Sequence, residues 1–69
     1  MKRIVQYIPS DSDQVFVGRS ALLCCVIDHP NVEPNGTAYT SPVEKVWTNA
    51  HGKLDVETEN TIFHAVMQQ

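Results

Sequence analysis

Apolar residues along this chain occur in short runs, which turn-forming residues interrupt about every eight to twelve positions. This spacing is typical of short strands joined by tight turns. No internal repeat, low-complexity segment or linker divides the sequence. The pattern therefore predicts one small domain over residues 1–69 that is all-β or β-rich.

Two strands are predicted before residue 20. Residues 3–8 are rich in β-branched and aromatic side chains, and residues 10–13 have the composition of a loop. Residues 14–19 are predicted as the second strand. A short helical turn capped by Ser10 or Ser12 is the alternative for this region.

Residues 21–27 form an unbroken apolar run, "ALLCCVI". Such a run fits a strand that is covered on both faces, and periodicity alone leaves a buried helix open. Gly18 before the run and the β-branched Val26 and Ile27 at its end favour the strand.

The second half of the chain predicts further short strands. Asn35-Gly36 is a strong turn signal, and Pro42 indicates an edge strand or a bend before residues 43–47. A second turn is predicted at residues 49–53. Residues 54–60 alternate strictly, which predicts a half-buried strand with one apolar face (Leu54, Val56, Thr58) and one acidic face (Asp55, Glu57, Glu59).

Residues 61–67 are predicted as a last strand, or as a short helix if Asn60 or Thr61 is its N-cap. Five or six short strands, with or without one short helix, predict a small partly open barrel of SH3-like or OB-like type. Two layers with a terminal helix are the alternative.

Size and cysteine usage predict self-association. A chain of 69 residues buries only about 60% of its unfolded surface, so small domains often add a disulfide, a metal or a second copy. Cys24 and Cys25 are adjacent and would close almost no loop. A homo-oligomer is therefore expected, with a two-fold dimer as the default form.

The net charge of −3 argues against a nucleic-acid binder that works by neutralising phosphates, although a local basic patch stays open. The apolar run near the N-terminus is too short and too polar to be a signal peptide or a membrane span. Free thiols without an export signal predict a cytoplasmic location.

The stretch Cys24-Cys25-Val26-Ile27-Asp28-His29 places two thiols, a carboxylate and an imidazole close together in sequence. On a regular strand the two cysteines point to opposite faces, and their apolar flanks predict buried, inert thiols with a raised pKa. Asp28 and His29 diverge on an extended segment, so a turn with a rigid corner is favoured over an acid–base pair. A ligand contact at that corner remains the alternative.

No catalytic, metal or cofactor site is predicted. His29, His51 and His64 lack the close spacing of zinc ligands. Tyr39 and Trp47 lie beside polar turns and are the best candidates for exposed aromatic contacts. Hydroxyls and an amide at two further turns complete the predicted ligand- or partner-binding set: Asp28, His29, Tyr39, Thr40, Ser41, Trp47, Asn60 and Thr61.

The segments "VIDHPNV", "YTSPVEKV" and "GKLDVETENTIF" together resemble small uncharacterised proteins encoded by phages and prophages. The resemblance covers Val26 to Phe63. It implies stoichiometric binding, either to block a host protein or to sequester a signalling nucleotide. It also implies that the Asp28-His29 corner, Thr40-Ser41 and Asn60-Thr61 gather on one side of the barrel.

The sequence therefore favours a small non-enzymatic binding protein that is oligomeric and inhibits by occupancy. Its partner is expected to be a host defence protein that meets the acidic face, or a nucleotide held by His29, Thr40 and Ser41. The alternatives are a small enzyme with its active site at a subunit interface, where His29 is the base and Asp28 or Cys25 assists, and a structural or assembly protein.

Overall fold

The computed structural model describes residues 2–27 and 36–67. Within these residues, six β-strands make up the regular structure. The strands are β1 (Arg3–Tyr7), β2 (Ser20–Val26), β3 (Gly36–Pro42), β4 (Lys45–Thr48), β5 (Leu54–Glu57) and β6 (Thr61–Ala65). In these two stretches, no helix has the length and apolar character needed to cross a membrane.

The strands form one sheet in the order β3-β2-β1-β6-β5-β4. Neighbouring strands are antiparallel except β1 and β6, which are parallel and pair from Arg3↔Thr61 to Tyr7↔Ala65. Residues 21–27 are thus a strand rather than a helix, and so is the segment that begins at Thr61. β3 lies at one edge, as the proline at its end predicted.

The short connection between β3 and β4 explains the curvature of the sheet. These strands lie at opposite edges, yet only Val43 and Glu44 separate them in sequence. Three residue steps reach about 11 Å, whereas six strands side by side in a flat sheet would hold the edges about 24 Å apart. The sheet must therefore curl, and it forms a half-barrel. The predicted all-β, partly open barrel is confirmed.

The concave side of the half-barrel holds the hydrophobic core. Residues at alternating positions of five strands, together with Val43, are buried there: Val5, Tyr7, Ala21, Leu23, Val26, Ala38, Val43, Val56, Phe63 and Ala65. Val15 and Val46 pack against this core from its margin.

β2 contains a β-bulge at its two cysteines. Its core-facing residues Ala21, Leu23 and Val26 are spaced by two positions and then by three, and the pairing with β3 shifts register between Leu23 and Val26. One extra residue in a strand breaks the alternation of its side chains. Cys24 and Cys25 therefore point to the same side, with their Sγ atoms 3.4 Å apart. The prediction of opposite faces is wrong, and both thiols are half-buried rather than buried.

Residues 14–19 do not form the predicted second strand. Only isolated bridges occur there, from Gln14 to Leu22 and from Val17 to Val43. Gly18 has a φ of +91°, in the left-handed region where a continuous strand cannot pass. Residues 10–13 form a turn in which the Asp13 amide donates to the Ser10 carbonyl. The segment is a loop that crosses from β1 to β2.

β5 differs from its predicted pattern at Leu54 and Asp55, and it ends at Glu57 although residues 54–60 were predicted as the strand. Val56 and Thr58 are buried as the alternation predicted, and Leu54 is 37% exposed. Asp55, predicted on the solvated acidic face, is only 4% exposed. Its neighbour on that face, Glu57, accepts a hydrogen bond from Lys2 at 2.6 Å. The three carboxylates therefore do not form one free acidic stripe.

Candidate functional site

A groove of about 450 Å³ opens to solvent where the 14–19 loop passes the first half of β2 and the end of β3. It combines aromatic, aliphatic and polar side chains with one guanidinium group. The lining residues are Gln14, Phe16, Gly18, Arg19, Ser20, Leu22, Tyr39 and Pro42.

Backbone hydrogen bonds hold the loop wall of the groove in place. The Gln14 and Leu22 backbones exchange two bonds of 3.0 and 2.9 Å. Farther along the loop, the Gly18 amide donates to the Val43 carbonyl and the Val43 amide donates to the Arg19 carbonyl, both at 2.8 Å. The wall is thus fixed to the sheet at two points, and residues 15–17 arch between them.

Large apolar side chains are exposed around the groove. Phe16 is 61% exposed, Val17 next to it 62%, and Tyr39 on the opposite wall 77%. Tyr39 pairs with Leu22 across β2 and β3. Exposed apolar clusters beside polar groups are typical of surfaces that bind a partner.

Of the predicted binding residues, Tyr39 lines the groove. Thr40 is buried, and its hydroxyl accepts from the Ala21 amide at 2.9 Å and donates to the Ser41 carbonyl at 2.6 Å. The hydroxyl therefore acts as both a hydrogen-bond donor and an acceptor within the fold. Ser41 is exposed beside it.

The other predicted residues lie elsewhere. Trp47 is half-buried in β4, Asn60 is exposed in the turn after β5, and Thr61 begins β6 beside Arg3. Asp28 and His29 lie outside the described residues, so the predicted turn at this corner and the alternative of a ligand contact stay predictions.

Of the residues that line the groove, sequence reasoning predicted only Tyr39 as a binding residue, and it missed Phe16 and Arg19 among the others. The "QVFVGR" pattern assigned them to a strand, where Phe16 would have packed into the core. Gly18 was the available signal, because a glycine inside a strand pattern often marks a break.

A second cluster of polar residues surrounds the buried carboxylate of Asp55. Its Oδ1 accepts from the Asn49 side-chain amide at 2.7 Å and from the Ala65 backbone amide at 2.9 Å. Its Oδ2 lies 3.0 Å from Nδ1 of His64. Burial raises the pKa of Asp55, but the bonds to His64, Ala65 and Asn49 outweigh it and hold the pKa below its ordinary value.

Asn49 joins this cluster to the turn between β4 and β5. Its Oδ1 accepts from the backbone amides of His51 and Lys53, and its Nδ2 also donates to the Ala65 carbonyl. Gly52 completes the turn with a φ of +74°. A carboxylate that orients an imidazole is an arrangement found in general bases. In this protein the Asp55 carboxylate links the β4–β5 turn to β6 by hydrogen bonds. That structural role accounts for all the hydrogen bonds of Asp55 given above.

Comparison of the chain with protein-family models, with curated proteins and with solved structures finds no match. The function is therefore inferred from the geometry and chemistry of the described residues.

Proposed function

We propose that this protein is a non-enzymatic binding protein that acts by stoichiometric occupancy, and that its groove binds a segment of a protein partner. The observation that carries the proposal is the exposure of Phe16 and Tyr39 on facing walls of the groove. Aromatic side chains of this kind supply large contact area at low conformational cost and often dominate binding energy.

The edge position of β3 indicates how the partner binds. β3 has a hydrogen-bonded neighbour on one side, β2, and its other side ends the sheet. An extended segment can add to such an edge through main-chain hydrogen bonds, while alternate side chains enter adjacent pockets. The expected ligand is an extended peptide with an apolar side chain between Phe16 and Tyr39 and a carboxylate near Arg19.

A nucleotide ligand is less well supported. The predicted nucleotide site depended on the Thr40 hydroxyl, which is committed to Ala21 and Ser41. The net charge of −3 also disfavours an anionic ligand at long range. Arg19 and Tyr39 would still offer a charge and a stacking surface, so nucleotides belong in the test.

The resemblance to phage-encoded proteins extends this proposal to the biological partner. A host protein, such as one used in defence, would be inhibited when a segment of it occupies the groove. The protein would then act in the host cytoplasm, as a homo-oligomer that presents one groove per copy.

The first test is selection from a displayed library of extended peptides, followed by fluorescence anisotropy. We expect the selected peptides to contain an apolar residue next to Asp or Glu. Phe16→Ala and Tyr39→Ala should each weaken binding about tenfold or more, because truncating an aromatic anchor typically costs over 1 kcal/mol. Ile4→Ala is the matched control, since Ile4 is 64% exposed but lies on β1 outside the groove lining.

Binding that is equally sensitive to Ile4→Ala, or insensitive to both groove variants, would contradict the proposal. A nucleotide that raises the melting temperature, with loss of that effect in Tyr39→Ala, would assign the groove to nucleotides instead. If the ligand is recovered chemically altered after incubation with the protein, the protein is an enzyme.

A further inference from the structure

The β2 bulge produces a second feature, a pair of thiols on one face of a strand. Cys24 and Cys25 are both free cysteines and both half-buried, so neither residue is fully enclosed in the core. Their Sγ atoms are 3.4 Å apart, in contact but unbonded. On a regular strand, adjacent side chains would point to opposite faces and hold the sulfurs well apart.

Backbone contacts fix both cysteines independently of their thiols. The Cys24 amide donates to Oδ1 of Asp13 at 2.9 Å, and the Cys25 carbonyl accepts from the Ile8 amide at 2.9 Å. Asp13 is itself held, since its Oδ2 accepts from the Ser10 amide. The folded protein therefore presents the two sulfurs together before any ligand arrives.

The separation of the sulfurs suits an atom that bridges them. An atom bonded to both at about 2.3 Å, a typical metal–thiolate length, would subtend an S–X–S angle of about 95°. This angle is close to that of a pyramidal three-coordinate centre. A direct disulfide needs the sulfurs about 2.05 Å apart, which would require the bulge to move and the intervening peptide to strain.

We propose that Cys24 and Cys25 form a vicinal dithiol site for a soft, trivalent thiophilic centre, of which trivalent arsenic is the chemical class that fits. Soft ions prefer thiolate ligands. Zinc in a structural site takes four protein ligands, whereas among the described residues no third His, Cys, Asp or Glu joins the two thiols. A monosubstituted arsenical needs two sulfurs and no more.

The reaction with phenylarsine oxide balances without any change in oxidation state. Each sulfur forms one bond to arsenic, and the two arsenic–oxygen bonds break. The oxygen leaves as water with the two thiol protons. The product is a cyclic dithioarsenite that spans Cys24 and Cys25, and this site is independent of the proposed groove function.

The test is titration of the native protein with phenylarsine oxide, read by intact mass and by melting temperature. We expect one adduct per chain that an excess of a small dithiol removes and an equal excess of a monothiol does not. Because the native bulge holds the sulfurs together, the adduct should raise the melting temperature by about 5 °C at saturation.

Cys24→Ser and Cys25→Ser are the matched variants, and each should retain the arsenical about 100-fold less well because chelation is lost. Equal retention by the wild type and the single variants would overturn the proposal. A lowered melting temperature would also overturn the proposal. It would show that the unfolded chain, whose thiols rotate freely, binds the arsenical more tightly than the folded protein does. The dithiol competition needs only the wild-type protein, so it remains decisive if a variant does not fold.

Discussion

Asp55 shows at the scale of one residue how a charge becomes part of a core. A carboxylate is buried only where donors compensate its lost hydration. Asp55 has three, from Asn49, His64 and Ala65. No buried side-chain nitrogen or oxygen among the described residues lacks a hydrogen-bond partner. The carboxylate is therefore a stable link between the β4–β5 turn and β6.

Asp55→Asn should destabilise the protein by about 1–3 kcal/mol at pH 7, because a neutral amide replaces the charge-assisted hydrogen bonds that the carboxylate accepts from Asn49, Ala65 and His64. Urea unfolding measures this loss. Glu59→Gln is the matched control, since Glu59 is an exposed carboxylate on the same segment, and it should change stability by less than about 0.5 kcal/mol.

The pH dependence of stability should differ between these variants. The pKa of Asp55 is lower in the folded protein than the ordinary value of 3.8. Its contribution is therefore fully present above the unfolded pKa and is lost as the pH falls through the folded one. Asp55→Asn should flatten the acid limb of the stability curve below about pH 4, whereas Glu59→Gln should keep the wild-type slope. An unchanged slope in Asp55→Asn would contradict the proposed link.

At the scale of elements, the pairing of β2 with β3 is irregular at two places. Besides the bulge at the two cysteines, the register shifts between Ser20↔Pro42 and Leu22↔Tyr39. The Thr40 hydroxyl sits in this shift and accepts from the Ala21 amide, which is buried. A side chain thus supplies a bond at a place where the two backbones do not pair regularly.

Thr40→Val should cost about 1–3 kcal/mol, because the valine is of similar shape but leaves the Ala21 amide without its acceptor. Thr37→Val on the same strand is the matched control, since Thr37 is exposed. Chemical denaturation measures both. Equal effects of the two substitutions would contradict the role given to the Thr40 hydroxyl.

The strands were predictable where apolar and polar residues alternate visibly along the sequence. The proline at the end of β3 and Gly52 in the turn between β4 and β5 mark boundaries by local backbone chemistry, which a sequence expresses directly. The bulge at Cys24 was not predictable, because every residue from 21 to 27 is apolar and no polar position reveals the break in period.

The site was less predictable than the fold. Tyr39 was expected at a binding surface because it flanks a polar turn, and it does line the groove. Phe16 and Arg19 form the facing wall only because Val43 anchors their loop from a distant part of the chain. Asp55 was expected in solvent because an isolated carboxylate belongs there, and its three donors come from the β4–β5 turn and from β6. Such tertiary contacts have no local signature.

At the scale of the whole molecule, the half-barrel leaves several large apolar side chains in solvent. Besides the groove residues, Ile4 and Met67 are each more than 60% exposed. For a chain of 69 residues this is a large apolar surface to leave uncovered. Self-association would cover part of it.

We expect the purified protein to be a homodimer or a larger closed oligomer. Native mass spectrometry and sedimentation at several concentrations measure the mass. Met67→Lys should shift the protein toward the monomer if the exposed surface around Met67 is the contact, and Tyr39→Lys should not, because the groove is expected to stay open for the partner. A monomer at all concentrations would contradict this expectation.

The parallel pairing of β1 and β6 also governs when the protein can fold. β1 comes first in the chain order of the described strands, but its neighbour on one side, β6, comes last. Contacts between distant segments slow folding, since a long loop must close before they form. We therefore expect the core around Val5 and Tyr7 to be completed only after β6 has been synthesised. Closure of the half-barrel then depends on the last described strand reaching the first.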